Sequence, residues 1–599
     1  MRLVADGYGP VDRGARRGSL SRVSVGHTPR SAPSLAGLCG NHAAVTIPLP
    51  HPTGRHRALL TAGRRRVVLT VGLGAFALLA PLTPGSATSA AAHPTGTRAA
   101  PGPAPHAGVP RPVTPAEART DTLLRSLRHS PARLRGFFRD LPKGGDLHNH
   151  LFGAVRTEYL IKLAADDGLC IDTGTMTAVV PPCDTRTRRP AADARTDRAF
   201  RAAIRRAWSM QDFPPHRLGH DHFFATFDKF ALVAGRHQGK VLAEVADDVA
   251  ENNQVYLETM VQPAADATDR LADEVGWDGD LARLHRKLLA GGRLDRLVAA
   301  AREETDGVDA EFRAAARCDT GRPRPACRPT VRLIYQALRA GSRERVFTQL
   351  ALGMRLAERD PRFLAVNLVQ PEDLPASLRN YRLEMRMLAF LRTRYPHAHV
   401  TLHAGELWTG LVKPEDLTFH IGEAVRVAGA ERIGHGVDFA FEHDRRDLAR
   451  TMAAQQIAVE VPFTSNAQIL GVRGRAHPFE TYRAYGVPTV LATDDPGVSR
   501  IDISHEYQYA AVTYGLSYPE LKDLARASLQ YAFLPGRSIW QGNPTTTGYR
   551  PTPACRNETL GDTSPAPRCR HLLTTSPKAR VQWHQEAAFT TFEHTGRRN

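Results

Sequence analysis

From residue 119 onward the apolar positions fall into two rhythms. Leu123, Leu124, Leu127, Leu134 and Phe137 recur at helical spacing and predict a helical N-terminal extension. Short apolar runs then alternate with longer amphipathic ones. The runs predict strands at 146–151, 255–260, 331–337, 364–369, 399–404, 431–435, 457–462 and 488–493. Helical patterns such as 342–358, 376–394, 414–428 and 443–455 lie between them. Strands each followed by a helix predict the α/β class and, at this repeat number, a (β/α)8 TIM barrel over 119–535. The first crossover is too long for one barrel unit, so about 166–220 reads as an inserted subdomain after strand 1. Residues 306–328 read as a smaller insertion before strand 3. Beyond 535 the chain turns rich in Pro, Thr and Gly, and 536–599 reads as a C-terminal tail.

Composition alters little of this. A hydrophobic content of 42% and 23% charged residues are ordinary for a folded domain. The formal charge of +18 would suggest nucleic acid, but residues 1–92 alone hold 11 Arg and no Lys against 2 Asp. No basic run interleaved with aromatics follows, so no nucleic-acid partner is expected.

The front end has its own pattern. Arg64-Arg65-Arg66 precedes an apolar run from Val67 to Leu82, and Gly85-Ser86-Ala87-Thr88-Ser89-Ala90-Ala91 follows. That is the order of a secretory signal. Residues 1–92 therefore read as an N-terminal extension carrying a signal at about 60–92, with a loose twin-arginine match. The run is short for a membrane span, so none is expected once the signal is removed. Residues 93–118 read as a disordered linker. Past the signal there are six cysteines: Cys170, Cys183, Cys318, Cys327, Cys555 and Cys569. They form three sequence-local pairs, and local disulfides are the economical expectation in an oxidising compartment, although six cysteines leave other connectivities open. With no C-x2-C, a zinc site built from these cysteines is a poor reading.

The candidate chemistry starts at Leu147-His148-Asn149-His150-Leu151. On a strand, residues two apart share a face, so His148 and His150 would aim both imidazoles at one point. A chance pair on a half-buried strand is the plain alternative. Three further groups fall at predicted strand ends, where barrel active sites lie. These are His403-Ala404-Gly405-Glu406, Gly434-His435-Gly436 and Thr493-Asp494-Asp495-Pro496. Alone, His403 could be a core histidine, Glu406 a helix-entry carboxylate, His435 a turn residue and the aspartates a turn start. Together, three histidines and an aspartate make an N3O set that suits Zn2+ with one open position.

These motifs, with Thr464-Ser465-Asn466, resemble the adenosine deaminase family of the amidohydrolase superfamily over roughly 135–535. The lead-in Leu141-Pro142-Lys143-Gly144-Gly145, the long first crossover and the secretion signal resemble its secreted, growth-factor-like branch. The resemblance implies zinc-dependent hydrolytic deamination of adenosine or 2′-deoxyadenosine to inosine or 2′-deoxyinosine, releasing ammonia, with one Zn2+ per chain and a small purine nucleoside as partner. It implies metal binding by His148, His150, His403 and Asp494, with the metal acidifying bound water toward a pKa of ~7. It also implies that a protonated Glu406 delivers a proton to ring N1. His435 orients the nucleophile as base or electrostatic partner, and Asp495 bonds purine N7.

Two positions depart from the family pattern. Phe152 stands where many members have an acidic residue at the ribose 5′-hydroxyl, and Gln370 where a glycine N–H meets purine N3. The alternative is therefore a superfamily hydrolase acting on a 5′-altered adenosine or another aminopurine. AMP deamination fits an exported chain less well, and a catalytically silent nucleoside-binding protein fits poorly with the complete residue set. A homodimer is left open.

Overall fold

The computed structural model describes residues 112–595. The predicted signal and most of the predicted linker lie outside the described residues. Eight parallel strands run in chain order around one sheet: β1 Gly144–Asp146, β2 Gln254–Val261, β3 Thr330–Leu338, β4 Phe363–Val369, β5 His399–Ala404, β6 Arg432–His435, β7 Ala458–Val461 and β8 Thr489–Leu491. The sheet closes through the residues just past β1 and β8. Asp494 N–H donates to His148 O at 2.9 Å, and His150 N–H donates to Asp494 O at 3.0 Å. With helices between the strands, this is a (β/α)8 TIM barrel.

The largest departure among the strands is at β1. It stops at Asp146, and residues 149 and 150 make only single bridges, to Asp494 and Met260. The Asp146 carboxylate accepts the His148 N–H at 3.3 Å and the Thr493 hydroxyl at 2.5 Å, which turns the chain out of the ladder. His148 and His150 thus sit on a bent extension that reaches both neighbours.

Outside the barrel, helix α1 (Pro115–Leu127) begins inside the expected linker, because Thr114 and Glu117 form a reciprocal capping box there. Helix α2 (Pro131–Asp140) completes the N-terminal extension. The expected insertion holds a three-stranded antiparallel sheet of residues 170–172, 177–179 and 188–190, closed by the Cys170–Cys183 disulfide. It leads into α3 (His220–Arg236). The first part of the expected insertion at 306–328 is the end of a long helix, α4 (Arg293–Ala316), and the rest is a loop closed by a Cys318–Cys327 disulfide.

The C-terminal segment is more than a tail. Its last helix, α6 (Pro577–Thr595), packs on α5 (Tyr518–Gln530), where Arg526 and Glu586 pair at 2.7 Å and both are buried. Phe592 meets Phe137 of α2 edge-on at 5.2 Å. The third disulfide is Cys555–Cys569, so all three join sequence-local pairs. Among the described residues no helix is long and apolar enough to cross a membrane.

Within the barrel, Arg432 is 1% exposed. Its guanidinium bonds Glu258 at 2.6 Å and Glu460 at 2.5 Å and lies 3.8 Å from the Phe533 ring centre. Removing one side of such a buried ionic set strands the other side. Arg432→Met is expected to cost about 3–5 kcal/mol. Denaturant unfolding checks this, and a loss under ~1 kcal/mol would contradict the bridging role.

Candidate active site

The C-terminal ends of β1, β5, β6 and β8 meet at the barrel mouth. The β1 extension carries His148 and His150. β5 carries His403, with Glu406 on the turn after it. His435 ends β6, and Asp494 and Asp495 follow β8. All are buried except His150, which is half-buried. His435 (φ 67°) and Asp494 (φ 62°) occupy the left-handed region, uncommon for residues with a Cβ. Such strain persists only where surrounding contacts over-determine it. For Asp494 those contacts are the two bonds that close the barrel.

Four of these side chains converge on one point. His403 Nε2 lies 3.1 Å from His148 Nε2 and 3.2 Å from His150 Nε2. Asp494 Oδ1 lies 3.4 Å and 3.2 Å from the same two nitrogens. The other ring nitrogens are held from behind. His148 Nδ1–H donates to the Glu460 carboxylate at 2.7 Å. The Asn367 amide oxygen accepts the His403 backbone N–H at 3.0 Å, so it also accepts from His403 Nδ1 at 2.9 Å. His150 Nδ1 faces the Gln336 amide oxygen at 3.4 Å.

With each Nδ1 directed outward, the three Nε2 atoms face one another closely enough to share one cation. Outer hydrogen bonds of this kind orient imidazoles for coordination, and His148, His150, His403 and Asp494 could hold a metal ion. Burial, then the neighbouring imidazoles, pushes His403 well below the usual imidazole range, which keeps it neutral for coordination. Ser465 Oγ–H donates to Asp494 Oδ2 at 2.6 Å and fixes the second carboxylate oxygen.

The remaining groups surround this set. Burial, then the nearby Asp494 and Glu372 carboxylates, drives Glu406 well above the usual carboxylate range, so it carries a proton at neutral pH. Its backbone N–H donates to Glu372 at 2.8 Å. Glu372 also accepts the Gly405 N–H and a proton from His420. Arg339, fully buried, donates to His403 O at 2.7 Å, so the turn between His403 and Glu406 is clamped from both sides. His435 is lowered to about 4, chiefly by burial, and its Nε2 lies 4.0 Å from Asp494 Oδ2. Asp495 is raised well above its usual range by burial and by Asp494, and its Oδ1 has no hydrogen-bond partner among the described residues.

His150, His403, Glu406, Asp494 and Asp495 line one face of a cavity of about 950 Å³. Phe152 and Gln370 line it too, as do Phe224 and Phe227 of α3, the helix that follows the insertion. Gln370 holds φ 83°, a backbone shape that favours glycine, and its side-chain oxygen accepts the Ala340 N–H at 3.0 Å. A second cavity, of about 710 Å³, opens among the N-terminal ends of the strands beside His399, Glu431 and Phe533, away from all of these groups.

Sequence reasoning placed the metal donors, Glu406, His435 and Asp495 at one site, and the structure brings them together. It missed Glu460, Asn367, Glu372 and Arg339. Glu460 carries a detectable signal: it is an ionisable residue inside the otherwise apolar strand Ala458–Val461. Gly153 was missed as well. A Cβ there would lie 1.7 Å from Asp495 Oδ1.

Comparison with known proteins follows the same lines. The family model described as adenosine deaminase matches residues 207–538. Adenosine deaminase of Escherichia coli (strain SE11) is 42% identical over 146 residues, which is 24% of this chain and 40% of that protein. The match thus spans less than half the length of the curated relative. Among solved structures, the N6-methyl-AMP deaminase from Arabidopsis thaliana aligns with a TM-score of 0.44 at 22% identity, covering 67% of this chain and 94% of that one. The adenine deaminase from Arthrobacter aurescens aligns with a TM-score of 0.41 at 18% identity, covering 66% and 94%.

Two glycines separate the metal set from the groups beside it. A Cβ on Gly434 would come within 2.5 Å of His148 Cε1, whereas one on Gly153 would strike Asp495, outside the donor set. Gly434→Ala is expected to lose most of its bound metal and Gly153→Ala to keep it, as measured by elemental analysis after dialysis. Equal metal content in the two variants would contradict this division of the site.

Proposed function

Since the chain belongs to the adenosine deaminase family, we propose that it is a zinc-dependent hydrolase that deaminates adenosine or 2′-deoxyadenosine, releasing ammonia. The observation that carries the reading is the buried Glu406 carboxyl, pushed well above the usual carboxylate range by burial and by Asp494, beside the N3O donor set and lining the same cavity as His150, His403 and Asp494. Donor spacing supports a single ion: four of the donor pairs stand 3.1 to 3.4 Å apart, and all the donor atoms lie within 4.8 Å of one another. Zinc bound there would supply acidified water as a nucleophile at neutral pH.

The protein's own groups divide the remaining work. Glu406 gives its proton to ring N1 of the purine as C6 is attacked, which removes charge from the ring. Asp495, protonated by its burial, donates to purine N7 and orients the ring. His435 hydrogen-bonds the attacking oxygen. Ser465 and the closing bridge of the barrel hold Asp494, so the donor set does not shift as the substrate enters. The cavity walls from α3 exclude water from the ring.

Phe152 in the wall supports a narrower reading, in which the substrate is an adenosine altered at its 5′ end. A phenyl ring accepts no hydrogen bond from a 5′-hydroxyl, and Gln370 adds bulk beside the ring position. We also propose export of the chain, with one Zn2+ per protein. Three disulfides support the export reading.

The test is turnover by zinc-loaded protein, followed by loss of ultraviolet absorbance and by ammonia release. Adenosine, 2′-deoxyadenosine and 5′-deoxyadenosine are compared. Glu406→Gln is expected to keep its zinc and lose about 10²–10⁴-fold in kcat. Zinc-loaded protein that turns over none of the three nucleosides would overturn the reading. A strong preference for adenosine over 5′-deoxyadenosine would overturn the narrower one.

A further inference from the structure

The hydrogen bonds behind His435 decide which of its ring nitrogens carries the proton. The point rests on the proposed reading of the site, in which His435 faces the attacking oxygen. His435 Nδ1 is 2.8 Å from one end of the Asn466 carboxamide, and the other end is 3.0 Å from His477 Nε2. All three side chains are buried. At the far end of this chain, the backbone N–H of Phe479 donates to His477 Nδ1 at 3.1 Å.

A peptide N–H can only donate, so His477 Nδ1 is an acceptor. Burial lowers His477 to about 3, so its ring is neutral and its one proton sits on Nε2. If the Asn466 nitrogen faced that Nε2–H, two donors would oppose each other at 3.0 Å. A half-turn of the carboxamide exchanges two groups of nearly equal size and removes the conflict. His477 Nε2–H then donates to the Asn466 oxygen, and the Asn466 nitrogen donates to His435 Nδ1.

We propose that His477 and Asn466, anchored by the Phe479 peptide, hold His435 as its Nε2–H tautomer, so that His435 serves the attacking oxygen as a hydrogen-bond donor and not as a proton acceptor. One further observation agrees: His435 Nε2 is buried with no partner among the described residues, so its N–H is free for a group that arrives with the reaction. His435 is then the catalytic residue, and Asn466 and His477 are positioning residues that act through it.

Asn466→Asp tests the proposal. A carboxylate only accepts, so it draws a proton to His435 Nδ1 and leaves Nε2 without one. Zinc-loaded Asn466→Asp is expected to lose about a hundredfold or more in kcat, the scale of one lost donor at a developing oxyanion. KM is expected to stay within about threefold, with zinc content unchanged. Were His435 a base at Nε2, the new carboxylate would strengthen it, and kcat would hold or rise; that result overturns the proposal.

The wild-type protein supplies a second measurement that needs no folded Asn466 variant. In ¹⁵N-histidine-labelled, zinc-loaded enzyme, with His435 assigned by loss of its signals in His435→Asn, Nε2 is expected to be proton-coupled and Nδ1 to show the shift of an unprotonated ring nitrogen. The reverse pattern overturns the proposal.

Discussion

The site depends on one buried carboxylate. Glu460 points into the barrel from β7, with no exposure to solvent. It accepts from Arg432, from the Thr401 hydroxyl and from His148 Nδ1. Against the effect of burial, Arg432 and the His148 bond hold it below the usual carboxylate range, so it stays charged. A charged acceptor behind His148 holds a ring proton at Nδ1 and turns Nε2 toward the barrel mouth. Arg432 in turn is balanced by Glu258 and stacked on Phe533. The ionic core of the barrel and the tautomer of its first metal donor are therefore one structure, and neither can change without the other.

Side-chain amides back two more rings around the mouth, Asn367 as an acceptor behind His403 and Asn466 as a donor behind His435. Asn367 fixes His403, and its orientation is certified by a backbone N–H. Asn466 stands behind His435, oriented through His477 by another backbone N–H. In each case a peptide group that can only donate sets the direction of a side-chain chain, and the reactive nitrogen ends that chain. Strained backbone at Asp494 is held by the bonds that close the sheet. The catalytic geometry thus draws its rigidity from barrel closure, while α3, the helix after the insertion, supplies part of the cavity wall.

The barrel was legible because its signal is local. Strand runs such as 399–404 match the observed β5 residue for residue, since period and residue type are written in consecutive positions. His148, His150, His403 and Asp494 were legible because reactive residue types sat at predicted strand ends. What escaped was relational. The partnership of Glu460 with His148 crosses 312 residues of sequence. Nothing local marks Asn367 as the acceptor for His403. The first strand was placed too late because Asp146 bends the chain with its own side chain, and the C-terminal segment looked loose because the partners of α6 lie on α1, α2 and α5. The meaning of Gln370 also needed coordinates: its left-handed backbone is invisible in its residue type.

The central claim is that three outward-bonded histidines and Asp494 hold a single zinc ion. Zinc K-edge X-ray absorption on the reconstituted protein tests it most directly. The account predicts one zinc per chain, with a first shell of light atoms at ~2.0–2.1 Å and the outer-shell scattering of three imidazoles. A sulfur shell at ~2.3 Å, or a metal–metal vector at ~3.5–4 Å, would contradict it.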